Sequence, residues 1–173
     1  MERRPGVLTL SEDDRRVLAV WAADCAERTL PLFEARAPGD ARPREAIEGV
    51  RAFARGEMRI GPARALAVGA HAAAREVGDL IAVAAARAAG HAAAVAHMAA
   101  HARGVPAYAA IAAGLAAPDD PTASTREVEW AVSHASRAIR EVLRKLPAPP
   151  RSAGMLGTLI DDPVSGLAAG GDK

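Results

Sequence analysis

The sequence has a single cysteine, Cys25, and only 3% aromatic residues among its 173 residues. One cysteine excludes an internal disulfide and any paired-cysteine redox or metal site, and it suits a reducing cytoplasm. With so few aromatic side chains, the core must come from close contacts between small residues. We therefore expect alanine, which makes up most of the hydrophobic residues, to dominate the core.

The chain also lacks a strong net charge and a long uninterrupted apolar run. Lysine and arginine number 22 against 21 aspartate and glutamate residues, a formal net charge of +1. We therefore expect neither a nucleic-acid partner nor attraction to an anionic membrane. The N-terminus has no signal-peptide core, and Arg75 and Arg87 interrupt the alanine-rich middle, so no membrane span is predicted.

Helix starts and breaks predict an all-α single domain over residues 1–146, built from about five to six packed helices. Ser11 is suited to cap the first helix, which Pro31 ends or kinks. Ser124 with Glu127 forms a capping-box pattern, and it opens a last helix that we expect to run to Leu146. A fourth helix over about residues 80–102 is apolar on two sides, which places it at the centre.

The last part of the chain, residues 147–173, is rich in proline and glycine. This composition predicts a mobile C-terminal tail. A short apolar patch within it is a candidate for docking back onto the helices; it consists of Met155, Leu156, Leu159 and Ile160.

Four histidines, His71, His91, His97 and His101, fall in the alanine-rich middle. The one-turn spacing of His97 and His101 can place two imidazoles on one metal ion, but the glutamate of a His-Glu-x-x-His motif is missing. On an ideal helix His91 lies about a third of a turn or more from that pair. We favour packing and hydrogen bonding for these histidines, with a metal site as the alternative.

Trp130 lies opposite the apolar stripe of the last helix, on the side that carries Arg137. Tryptophan and arginine dominate binding hot spots, so Trp130 with Arg137 is a candidate partner-binding anchor. The tail patch covering Trp130 is an equally acceptable explanation. No glycine-rich phosphate loop, nucleophile elbow or carboxylate pair is present, so we predict neither an enzyme nor a cofactor.

Several short segments between about residues 11 and 115 are similar in residue order, and not only in composition, to segments of a known protein family. The matching pieces are WAADCA at 21–26, DARP at 40–43, AHAAAR at 70–75 and ARAAGHAAA at 86–94, then His97, His101 and Tyr108. In these pieces the chain resembles immunity proteins of bacterial polymorphic-toxin systems, in the immunity-five-like family. The resemblance implies an all-helical protein that binds and blocks a protein toxin.

Three hypotheses for function follow. The first is a cytoplasmic immunity protein that neutralises a cognate toxin by steric occlusion, without catalysis. The second is a helical-bundle metalloprotein or hydrolase that uses His97 and His101 with His71 or His91. The third is a structural module that associates with itself through alanine-rich faces, and the sequence leaves the oligomeric state open.

Overall fold

A computed structural model describes residues 10–146, and within this range the chain is entirely helical, without a strand. This confirms the all-α prediction. In chain order the helices are α1 (Glu12–Glu27), α2 (Leu30–Glu34), α3 (Arg42–Ala54), α4 (Ile60–Glu76), α5 (Leu80–Ala94), a 3-10 helix (Ala99–Arg103), α6 (Gly104–Ala116), α7 (Ala123–Ser133) and α8 (Arg137–Lys145).

The described residues hold more helices than the five to six expected, because two predicted helices are split. Pro31 lies in the first turn of α2, where its missing N–H costs nothing, so it opens a second short helix after α1. The predicted last helix breaks after Ser133, and Ser136 caps α8 by accepting a hydrogen bond from the Ile139 N–H at 3.3 Å.

The predicted capping box at Ser124 is wrong. The Ser124 hydroxyl donates to the Ala110 carbonyl of α6 at 2.8 Å, and Glu127 forms an ion pair with Arg28 of α1. Both side chains therefore tie α7 to other helices. The fourth helix was also predicted too long, because α5 ends at Ala94 and the 3-10 helix follows after a turn.

Helix α5 lies at the centre of the described fold, as its two apolar sides predicted. It packs against α1, α2, α3, α4 and α6, and ten of its small residues are buried. The few large core side chains come from other helices, above all Trp21, Phe33, Phe53 and Leu18. Trp21 also donates from Nε1 to the Ala131 carbonyl at 2.9 Å, which fastens α1 to α7.

The predicted tail and its apolar patch lie outside the described residues. Within residues 10–146, none of the helices combines the length and the hydropathy that crossing a membrane requires.

Candidate functional site

The four histidines of the alanine-rich middle meet in one row of rings. His71 lies on α4, His91 near the end of α5, His97 in the turn after α5 and His101 on the 3-10 helix. Ring centroids are 5.6 Å apart for His97 and His101, 5.0 Å for His101 and His91, and 5.3 Å for His91 and His71. Tyr108 of α6 lies against His91 at 5.0 Å. We call the side chains of the four histidines, without Tyr108, the histidine cluster.

The end of α5 at Ala94 is what allows this row to form. On a continuous helix His91 would point away from His97 and His101, as the sequence led us to expect. Because the chain turns after α5, His101 comes back to His91, and their Nδ1 atoms are 3.3 Å apart. The structure thus brings together all four histidines.

Two glycines make room for the rings. A Cβ atom added at Gly90 would lie 2.6 Å from His71 Cε1, and one added at Gly104 would lie 2.7 Å from His91 Nδ1. Both distances are too short for a real side chain, so α5 and α6 approach the imidazoles only because these positions are glycine. Sequence reasoning missed both glycines, although glycine inside an alanine-rich helix is a signal of close approach.

The cluster has positive neighbours, and no carboxylate within residues 10–146 perturbs the pKa of its histidines. Arg87 Nη1 is 3.2 Å from His71 Nδ1, and since a guanidinium can only donate, Nδ1 is the acceptor. Burial first, and then the neighbouring Arg87, lower the pKa of His71 to about 4. Burial first, and then the neighbouring His101 and His71, lower the pKa of His91 to about 3. Burial also lowers the pKa of His97 and of His101.

The histidine cluster is therefore neutral at neutral pH. In the part of the chain that the structure describes, no carboxylate bonds to these rings, although one usually orients a catalytic or metal-binding imidazole. Among residues 10–146, no group of three or more His, Cys, Asp or Glu side chains could hold a metal ion. His97 Nδ1 is buried and finds no hydrogen-bond partner in that range. The arrangement suits packing of neutral rings between helices.

Cys25 is buried on α1. Burial, helped by the negative charge of Asp24, raises the pKa of its thiol far above the usual range. The thiol therefore stays protonated and poorly nucleophilic at neutral pH. This supports a packing role for Cys25.

Trp130 does not point wholly away from the core, contrary to our expectation. Its ring is half-buried against the core, stacks on His134 with centroids 3.9 Å apart, and has the Arg28 guanidinium 4.4 Å above it. The helix break separates it from Arg137, whose side chain is 93% exposed and pairs with Glu141 at 2.8 Å. Arg28 and His134 are the cover that sequence reasoning did not identify.

A known protein family matches most of the chain. The sequence profile of the family described as "Imm-5 like putative immunity protein" matches residues 8–138 of the 173. That range runs from before α1 to the start of α8 and includes the whole histidine cluster and Trp130. No curated protein and no solved structure matches the chain.

Proposed function

Because the chain belongs to the Imm-5 like immunity protein family, we propose that it binds a bacterial protein toxin in the cytoplasm and neutralises it without catalysis. The family match is the observation that carries the proposal, since it extends over most of the described helices. Neutralisation then requires only that the bound protein covers the active site of the toxin or blocks its substrate.

The chemistry of the described side chains supports a mechanism without catalysis. The histidine cluster holds neutral imidazoles beside arginines, and the thiol of Cys25 is buried and protonated. A cavity of about 330 Å³ lies elsewhere, between α1 and the start of α4, and its lining contains no histidine or cysteine. A nucleophile with an activating base is thus missing from both places.

Self-association through alanine-rich faces has less support. The small residues of α5 pack against neighbouring helices of the same chain, and ten of them are buried. Because these faces of α5 are buried within the folded chain, a second copy of the protein cannot reach them. A soluble one-to-one complex with a toxin fits this arrangement better.

We propose Trp130 and Arg137 as a first toxin contact to test. The exposed part of the Trp130 ring and the protruding Arg137 side chain offer an aromatic and a cationic group on α7 and α8. Trp130→Ala should weaken toxin binding by about 2 kcal/mol or more, roughly 30-fold, if the ring is an anchor. Titration calorimetry with the isolated toxin domain measures this, and Trp130→Phe is the conservative control.

The packing of Trp130 under Arg28 gives this test a clear opposite outcome. If Trp130→Ala lowers the melting temperature and leaves the toxin affinity unchanged, Trp130 is a packing residue and the contact surface lies elsewhere.

The proposal as a whole is tested by affinity capture. The tagged protein should retain, near one to one, a large secreted polypeptide with a toxic C-terminal module from its native host. Retention of no such polypeptide under conditions in which the host expresses its toxins would contradict the proposal.

A further inference from the structure

One face of the described fold carries cations that have no carboxylate partner in residues 10–146. Arg64, Val68, His71 and Arg75 follow one another on α4 at intervals of four, three and four residues, which places them along one side of the helix. Arg87 reaches this side from α5 and meets His71 at 3.2 Å. We call Arg64, His71, Arg75 and Arg87 the cationic face.

Most arginines elsewhere in the described range are neutralised. Nine of them form ion pairs with aspartate or glutamate: Arg16, Arg28, Arg36, Arg42, Arg44, Arg51, Arg55, Arg126 and Arg137. Within residues 10–146 no such pair forms at Arg64, Arg75 or Arg87, although Arg64 and Arg75 are exposed. Arg15, Arg59, Arg140 and Arg144 also form no ion pair within this range, but they lie on α1, before α4 and on α8, whereas Arg64, Arg75 and Arg87 meet along one side of α4.

The histidine cluster extends the face without supplying an acid. After burial, Arg87 and Arg75 lower the pKa of His71 and Arg64 lowers the pKa of His97, so the arginines of this face lie close to the histidine cluster. Among the described residues, no carboxylate contributes to the pKa of any of the four histidines. The acid beside this face is Glu76, which pairs with Arg42 at 2.7 Å and is also acted on by the charge of Arg75.

The face also has an apolar centre. Val68 lies one turn from both Arg64 and His71, and it is 58% exposed. A small apolar contact ringed by unpaired charges is the arrangement of a protein interface, whose core is apolar and whose rim is polar. Folded nucleic acid or free phosphate would offer Val68 no apolar contact.

We propose that the cationic face receives an acidic surface of the toxin, with carboxylates opposite Arg64 and Arg75 and an apolar side chain opposite Val68. This rests on the proposed function, and it names the chemistry of the partner surface. Complementary charge of this kind speeds association and makes its rate depend on salt.

The test uses two double variants that change net charge equally. In Arg64→Glu/Arg75→Glu the cationic face is reversed, and in Arg59→Glu/Arg144→Glu two exposed arginines outside this face, which also form no ion pair within residues 10–146, are reversed. Circular dichroism checks that both variants fold. The first probe is a ten-residue polyglutamate peptide. Its binding is monitored by NMR of the backbone amide and histidine side-chain resonances.

We expect polyglutamate to shift resonances of the cationic face, and we expect the first variant to weaken its binding by about tenfold or more while the second binds like the parent chain. Equal weakening in the two variants, or shifts located elsewhere, would overturn the inference. Stronger binding of a ten-nucleotide single-stranded RNA than of polyglutamate at this face would also overturn it.

The isolated toxin domain then separates this inference from the proposed function. If the toxin binds and the Arg64→Glu/Arg75→Glu variant keeps the parent association rate and its salt dependence, the cationic face is not the contact and the immunity function stands. If the toxin binds none of the proteins, the proposed function fails, and the toxin is excluded as the occupant of this face.

Discussion

Acidification should destabilise this protein through its histidine cluster. The pKa of His71 is lowered to about 4 and that of His91 to about 3, both from an ordinary value of 6.5. Between pH 6.5 and those values the unfolded chain binds more protons than the folded one, so stability falls as pH falls. Above pH 6.5 these rings are neutral in both the folded and the unfolded chain, so their contribution to the free energy of unfolding no longer changes with pH.

The size of the effect follows from the two shifts. One pKa unit corresponds to 1.36 kcal/mol, so the two rings together would cost about 6 kcal/mol at pH 4 without solvent screening. Since the rings are only partly buried, we halve this to about 3 kcal/mol. That is a large share of the roughly 5–15 kcal/mol that stabilises a domain.

Urea unfolding followed by circular dichroism at several pH values from 7.5 to 4 measures this dependence. His71→Gln, which keeps a polar side chain but cannot titrate, should reduce the slope of unfolding free energy against pH between pH 6.5 and 4. His134→Gln is the matched control, because His134 is exposed and lies outside the cluster. Equal slopes for the parent chain and His71→Gln would refute the reasoning.

Two further predictions concern packing. Gly90→Ala should destabilise the protein by about 1–3 kcal/mol, because its Cβ would lie 2.6 Å from His71 Cε1. Gly69→Ala on α4, where nothing lies within 4 Å, should instead stabilise by about 0.5–1 kcal/mol, and similar melting temperatures for the two variants would contradict the account. Trp21→Phe leaves the buried Ala131 carbonyl without its donor and should cost about 1–3 kcal/mol in chemical unfolding, whereas an unchanged midpoint would show that this bond contributes little.

The fold class and the central helix could be predicted from sequence because they depend on hydrophobic pattern alone. The ends of the helices could not be predicted in this way, because they depend on which of several polar side chains caps the backbone. Ser124 and Ser136 both suit a helix start, and only tertiary contact decides that Ser124 bonds to Ala110 while Ser136 caps α8. Pro31 likewise breaks one helix and opens the next.

Sequence analysis identified the residues of the histidine cluster but did not predict how they are arranged. Spacing identified His97 and His101 as neighbours, but the approach of His91 depends on where α5 ends and on the space left at Gly90 and Gly104. Trp130 shows the same difficulty, because its cover comes from Arg28, about a hundred residues earlier in the chain. Long-range contacts of this kind have no local signal in the sequence.

The most direct test of the immunity function is a titration of the captured toxin's activity with the purified protein. We predict that toxin activity falls to its background level at one equivalent and that the toxin recovers full activity after the complex is dissociated, since binding without catalysis leaves the toxin intact. Toxin activity that persists at excess protein, or that is lost for good at far less than one equivalent, would contradict the account.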